Sequence, residues 1–429
     1  MCKKELFLVI YLFRYIFIAL EFEHLTNNMI KNTLKDITNK AAELYNECQF
    51  ATSSQHLLKR EIRTIKKEIK DIAANKRKHI IGLTKFLRPL MLPTARRVTF
   101  ESQFDFSSIN TAKNIVVYMP NHKSHLDEFI IGYKFLKQHM PIPITSAGEN
   151  LFRNKPSVFV LKSYGAFKIR RDKYSEDTHY YRLLSSYLGA SIMAGNQIMS
   201  FQEGTRPRDG KIGMFRKGII GTIEEIFDKL KEQTEFEDIL FVPIAINWSE
   251  NPDEKKLTTD RNQVAEETDL MKRFINLKKT HSSRDIRGVY LKFGKPVSYN
   301  QFVAENDPDE NNSYAIGICN EVRAKVVGMM PVFKEHLVYS SIQFLSKYNK
   351  NVIIEDLKQL IEVTQKIIIK DAIQIIETDK FSIESQLDLM AKRDIIIYNK
   401  ETTGFEVLKP NLVDYYANHV TSLTEERKA

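Results

Sequence analysis

Long apolar runs are scarce in this 429-residue chain. The most apolar, Leu6 to Leu20, falls short of the roughly 20 residues that a helix needs to cross a bilayer, and it carries Arg14 near its middle. Lys3 and Lys4 precede it as they would a signal or start-transfer segment, yet no small-x-small cleavage site follows. A shallow anchor helix is the expectation, with Met29 an alternative start. Cysteine is scarce too. Cys2, Cys48 and Cys319 are odd in number and far apart, which argues against a disulfide framework and suits a reducing compartment. No ribonucleoprotein block or zinc-finger spacing occurs, so the formal charge of +10 points to a membrane surface or a phosphorylated substrate and away from nucleic acid. Internal repeats, low-complexity tracts and the H-E-x-x-H metal spacing are also missing.

What is present divides the chain into stretches. Residues 1–28 are the apolar segment. Residues 29–100 form a basic helical region, in which Ile62, Ile65, Ile69 and Ile72 recur at spacings of three and four among Lys59, Arg60, Arg63, Lys66, Lys67 and Lys70. The isoleucine stripe suits packing onto a neighbouring domain, or a basic amphipathic helix drawn to anionic lipid, where each cation near the surface contributes about 1 kcal/mol. The proline-broken Ile80 to Leu92 stretch, flanked by Lys76-Arg77-Lys78 and Arg96-Arg97, favours the membrane. Between residues 101 and 310, strand candidates alternate with helical patterns. The strands are Asn114–Met119, Ile142–Ser146, Phe167–Arg170, Gln197–Gln202, Ile239–Asn247 and Gly288–Phe293; the clearest helices are Thr178–Met193 and Phe215–Lys231. Such alternation predicts an α/β fold, a mixed sheet covered by helices. Residues 311–429 are mostly helical, with a small hairpin across residues 395–408.

Chemistry concentrates after the first strand. Pro120 stops the Ile115–Met119 run, and the polar loop beyond it carries His122, Ser124, His125, Asp127 and Glu128. A histidine with a carboxylate five residues on can act as a general base, because the carboxylate fixes the imidazole tautomer and stabilises the imidazolium. His122, His125, Asp127 and Glu128 are also a candidate metal cluster, or ordinary solvated polar residues.

Four blocks lift the first reading above the others. Asn121-His122-Lys123-Ser124-His125-Leu126-Asp127, Gly165-Ala166-Phe167-Lys168-Ile169-Arg170-Arg171, Phe201-Gln202-Glu203-Gly204-Thr205-Arg206 and Val242-Pro243-Ile244 resemble, in order, the four blocks of the glycerolipid acyltransferases. The closing residues 412–418 resemble the C-terminal part of the longer glycerol-3-phosphate acyltransferases. The resemblance implies transfer of a fatty acyl group from acyl-CoA or acyl carrier protein to the sn-1 hydroxyl of glycerol 3-phosphate, with His122 and Asp127 catalytic, no cofactor, and a place on the cytoplasmic face of a membrane. Lys168, Arg170, Arg171, Arg206 and Arg208 supply cations for a phosphate, with Arg171 and Arg206 favoured. Gly204 is expected to allow close backbone approach, Thr205 to offer a hydroxyl, and Glu203 to orient an arginine or a substrate hydroxyl. Backbone amides at the helix start are expected to hold the oxyanion. Val242-Pro243-Ile244 is structural or lines the acyl path. Lys168 replaces an expected apolar residue, and the EGTR form of the third block is shared with lysophosphatidate acyltransferases, which makes 1-acylglycerol 3-phosphate the alternative acceptor.

Overall fold

The structure is a computed structural model that describes residues 34–50, 59–74, 97–152, 155–170, 177–259, 287–379, 381–399 and 404–427. The apolar N-terminal stretch, the Ile80–Leu92 segment and Arg171 lie outside the described residues.

Seven strands form the main path of a mixed sheet: β1 (Val98–Ser102), β2 (Asn114–Pro120), β3 (Ile144–Gly148), β4 (Ala166–Ile169), β5 (Ile198–Met199), β6 (Asp238–Trp248) and β7 (Val289–Phe293). They run in the order β1-β7-β6-β2-β5-β3-β4, and β8 (Val297–Ser298) pairs with the start of β6. β2 is parallel to both its neighbours, in register Tyr118 to Met199 on β5 and Tyr118 to Val242 on β6. β7 and β8 pair antiparallel with β6, and β1 runs alongside β7 in the same direction. β2 reads as an unbroken apolar run because it is covered on both faces, and Val117 and Met119 are fully buried. The fold is therefore the helix-covered mixed α/β sheet that the alternation predicts. β1 was not among the strand candidates, and a boundary after residue 100 cuts through it.

Two prolines sit in this sheet without breaking it. Pro243 falls where β6 changes partner from β8, at Leu240 and Phe241, to β7, at Ile244 onward, so no ladder bond needs its missing N–H. Pro120 ends β2, and the Asn121 side chain continues the ladder in its place: Nδ2 donates to Ile246 O at 3.0 Å and Oδ1 accepts from Ile246 N at 2.8 Å. Val242 and Ile244 are buried in the sheet, a structural role.

The connecting helices are α3 (Asp127–Lys137), α4 (Lys155–Ser163), α5 (Thr178–Met193) and α6 (Gly218–Gln233), followed by the short α7 (Glu254–Thr258) and α8 (Tyr299–Glu305). Among the described residues two helices precede them, α1 (Leu34–Phe50) and α2 (Lys59–Ile72). On α2 the isoleucine stripe faces protein. Ile65, Ile69 and Ile72 are buried in the main core, packed towards α5 and β4. Lys162 closes the end of α2 by donating to the carbonyls of Lys70 and Asp71 at 2.7 and 2.8 Å. The lipid-facing reading of this stripe is corrected: burying three isoleucines against protein contributes about 1.5–3 kcal/mol each, which a lipid surface cannot also claim. Arg63, Lys67 and Lys70 remain exposed on the outer side. Among the described residues no helix is long and apolar enough to cross a membrane.

The C-terminal part packs α9 (Ala315–Met329), α10 (Lys334–Ser346), α11 (Ile354–Lys370), α12 (Ile383–Lys392) and α13 (Pro410–Glu426) onto the sheet domain. Pro331 breaks the helical stretch after α9, and Val332–Phe333 then pairs as a short parallel strand with Ile375–Ile376. The hairpin across 395–408 is present, with Ile396 opposite Val407 and Val352–Ile353 as a third strand.

Ile69→Ala is expected to lower stability by about 2–5 kcal/mol in urea unfolding. Unchanged stability with weaker binding to anionic vesicles would restore the lipid-facing reading.

Candidate active site

Because β5, β2 and β6 lie side by side and parallel, the loops beyond their carboxyl ends open on one edge, where open α/β sheets place their ligands. The loop after β2 brings His122 Nδ1 to 3.1 Å from Asp127 Oδ2. Asp127 has no exposed surface, and its charge is met by donors on every side. Oδ2 also accepts the N–H groups of Lys123 and Ser124 at 2.6 and 2.8 Å, and Oδ1 accepts the indole N–H of Trp248 at 2.9 Å. The imidazole lies against Phe201, ring centroids 4.3 Å apart.

The loop after β5 holds this loop from the other side. Glu203 accepts the His122 N–H at 2.7 Å through Oε1 and the Gly213 N–H at 2.8 Å through Oε2. The arginine half of its expected role is thereby corrected: both oxygens hold backbone N–H groups, and neither meets an arginine. Burial pushes Glu203 up to about 7, against the pull of those two N–H groups and of Lys123. Lys123 is itself buried and pushed down to about 8, and its ammonium donates to the Gly210 carbonyl. Glu128, half-buried at the start of α3, is raised to about 8 by burial and by the Asp127 charge.

The amides from His122 to Leu126 cannot serve an oxyanion. Those of 122 to 125 donate to Glu203, Asp127 and Asp253, and that of Leu126 donates to Ser124 Oγ. This corrects the expectation for that stretch, since each donor is already held by a carboxylate or hydroxyl.

His125 goes elsewhere. Its Nδ1 lies 3.0 Å from Asp253 Oδ2, in the loop after β6. The same oxygen accepts Arg206 Nη1 at 2.6 Å and the Ser124 hydroxyl at 3.1 Å. Burial raises the Asp253 carboxyl, but His125 and Arg206 outweigh it and hold the group well below the usual carboxylate range. The two histidines thus belong to separate carboxylates, and among the described residues no cluster of three metal-ligating side chains forms.

The remaining candidates spread along the edge. Gly204 turns with φ +71°, in the left-handed region that favours glycine, and no atom of the described chain lies within 4 Å of where its Cβ would stand. Thr205 is exposed, and Arg208 donates to the Thr259 carbonyl. Lys168 and Arg170, two residues apart on the same side of β4, share Asp71 of α2 at 2.7 and 3.1 Å, and Arg170 also reaches Glu149 at 3.0 Å. β4 stands three strand positions from β2, about 14 Å along the edge at about 4.8 Å per strand. The structure therefore gathers His122, Asp127, Glu203 and Arg206 together and sets Lys168 and Arg170 apart, in ion pairs.

Sequence reasoning missed Trp248, Asn251, Asp253 and Tyr415. Asn251 Nδ2 donates to Lys123 O at 2.8 Å and to the Tyr415 hydroxyl at 2.7 Å, tying the loop after β2 to α13. The only tryptophan of the chain at the end of a core strand, followed by Asn251-Pro252-Asp253, was the available signal.

An acyltransferase family model matches residues 98–247, the stretch that holds the sheet up to β6 and the loops after β2 and β5. Over this stretch the chain matches an acyltransferase domain, which supports the resemblance to the glycerolipid acyltransferases. It is similar to glycerol-3-phosphate acyltransferases: that of Colwellia psychrerythraea is 25% identical over 199 residues, that of Pseudoalteromonas translucida 26% over 249, and that of Xylella fastidiosa 28% over 196. These alignments cover 46, 57 and 45% of this chain but only 23, 29 and 22% of the relatives, so the chain matches about a quarter of their length. Among solved structures, the 1-acyl-sn-glycerophosphate (LPA) acyltransferase of Thermotoga maritima aligns at 16% identity and TM-score 0.32, over 68% of this chain and 91% of that one.

Gly210 offers a test of the contact with α13. At φ +81° its Cβ would overlap the Tyr415 carbonyl, whereas Gly204 has open space. Gly210→Ala should therefore destabilise the protein well beyond the roughly 1 kcal/mol of backbone strain expected for Gly204→Ala, as read by thermal melting. Glu128 gives a pH test. Its folded carboxyl keeps a proton up to about 8, while the unfolded chain releases one in the usual carboxylate range, so stability falls as pH rises between those values. Glu128→Gln should shrink that fall in melting temperature, leaving the share due to Glu203; an undiminished slope would show that Glu128 is already ionised at neutral pH.

Proposed function

We propose that the chain is a glycerol-3-phosphate O-acyltransferase of phospholipid synthesis, moving a fatty acyl group from acyl-CoA or acyl carrier protein to the sn-1 hydroxyl. The observation that carries this is the His122–Asp127 pair at the carboxyl end of β2. Asp127 engages Nδ1, which leaves Nε2 as the ring nitrogen that accepts the proton of an acceptor hydroxyl. The alkoxide oxygen attacks the thioester carbonyl, the carbon–sulfur bond breaks, and the imidazolium returns the proton to the departing thiolate, so the carrier is released as a thiol. No acyl-enzyme is needed. Ser124 directs its hydroxyl to Asp253, and the Cys319 thiol is pushed up to about 12 by burial, so neither is an activated nucleophile. The reaction requires no cofactor.

The names of the relatives support glycerol 3-phosphate as acceptor. The EGTR form of the third block favours 1-acylglycerol 3-phosphate as the second reading. Arg206, on the loop after β5 and held by one N–H to Asp253, is the cation assigned to the phosphate; Lys168 and Arg170 would have to leave Asp71 and Glu149 first. The net charge of +10 and the outward Arg63, Lys67 and Lys70 support docking on an anionic membrane surface at its cytoplasmic face.

Purified protein should turn over glycerol 3-phosphate faster than 1-acylglycerol 3-phosphate when each is assayed with both donors. Turnover of neither acceptor would end the reading, and a preference for the second would decide for the lysophosphatidate enzyme. His122→Ala should lower kcat by about 10²–10⁴-fold with the fold intact, and His125→Ala by much less. Arg206→Ala should raise the acceptor KM by about ten- to 150-fold, the loss of one charged hydrogen bond.

A further inference from the structure

Asp253 lies six residues past the end of the matched acyltransferase stretch, on the loop after β6. Four donors converge on its Oδ2: Arg206 Nη1 at 2.6 Å, the His125 N–H at 2.7 Å, His125 Nδ1 at 3.0 Å and the Ser124 hydroxyl at 3.1 Å. One oxygen thus joins the arginine turn to the catalytic loop. The carboxylate is itself fixed from behind. The Asp253 N–H donates to Asn251 Oδ1 at 2.9 Å, and the Asn251 N–H donates to the Tyr416 hydroxyl at 2.6 Å. With the Asn251 bonds to Lys123 and Tyr415, this makes a continuous hydrogen-bonded line from α13 to Arg206.

The way Arg206 is held decides what the contact does. A carboxylate that closed on the guanidinium bidentately would occupy the planar edge that a phosphate needs. Here Arg206 gives Asp253 a single N–H, and among the described residues no other group takes its remaining donors. The side chain keeps 18% of its surface exposed, so those donors have an outlet.

We propose that Asp253 is a positioning residue that aims the open edge of Arg206 at the phosphate of the acceptor, and that α13 sets this aim through Asn251. The inference rests on the reading of Arg206 as the phosphate-binding cation. It gives the C-terminal part of the chain, which lies outside the matched stretch, a part in acceptor recognition as well as in stability.

The test compares full-length wild type with Asp253→Asn by initial rates against glycerol 3-phosphate and against acyl-CoA, with thermal melting alongside. The expected result is an acceptor KM raised about tenfold or more, with kcat and donor KM nearly unchanged. Asp253→Glu should recover part of the loss, and Arg206→Lys should cost much less in the Asp253→Asn background than in wild type, since the aim is already gone. A fall in kcat and melting temperature with the acceptor KM unmoved would show a merely structural residue and overturn the inference. If Asp253→Asn does not fold, Tyr415→Phe carries the test: a raised acceptor KM is expected, and an unmoved one overturns it. Wild type that turns over neither acceptor would end the functional reading itself, a different failure from wild-type turnover with an insensitive Asp253 variant.

Discussion

The carboxylate of Asp127 is the group on which the rest of the site depends. A charge with no solvent contact is tolerable only when its lone pairs are met, and four donors meet them: two backbone N–H groups of its own loop, the indole of Trp248 and the imidazole of His122. Each donor constrains something larger. The backbone pair curls residues 122–127 into one shape, and the indole ties that curl to the end of β6. What is left for His122 is a fixed tautomer and a fixed direction. A general base needs little more, provided that the loop cannot relax away from it.

Keeping the loop from relaxing is a task for residues far away in sequence. Glu203 holds the His122 amide from the β5 side, and Asn251 holds the Lys123 carbonyl from the β6 side. Behind them stand Tyr415 and Tyr416 on α13, while Arg393 pairs with Glu250 and Glu254 at the root of the same loop. These polar groups are buried, so each one left unpaired would cost the desolvation of a donor or acceptor, about 1–3 kcal/mol. The docking of the C-terminal helices and the form of the loop after β2 thus support one another. At the opposite end of the sheet, α2 seals the core beside β4 with its isoleucines and offers Asp71 to Lys168 and Arg170, which explains how a strand end so rich in cations is tolerated.

The two histidines of the first block illustrate how near neighbours in sequence part company. They stand three positions apart, and both find a carboxylate at about the same distance. Yet Asp127 is fully enclosed and serves His122, whereas Asp253 is partly exposed and is shared with Arg206. The chemistry of a histidine follows from what else its carboxylate must hold, and that is settled by which loops meet at the sheet edge.

Much was legible in the residues alone, for local reasons. Periodicity of two and of 3.6 marks elements whose partners need not be known, so most strands of the sheet, helix Thr178–Met193 and the hairpin after Ile395 could be read directly. The His122–Asp127 spacing and the order of the four blocks likewise belong to the chain itself. Tertiary structure alone decided the rest. The isoleucine stripe of α2 has the same pattern whether it meets lipid or protein, and only the neighbouring α5 and β4 choose between them. Glu203 looks like a partner for arginine until the fold brings two backbone N–H groups to it first. The lone tryptophan at a strand end marks the neighbourhood of Trp248, Asn251 and Asp253, but the roles of these residues and of Tyr415 arise from hydrogen bonds across more than a hundred residues, and sequence spacing holds no information about such distances until the chain has closed.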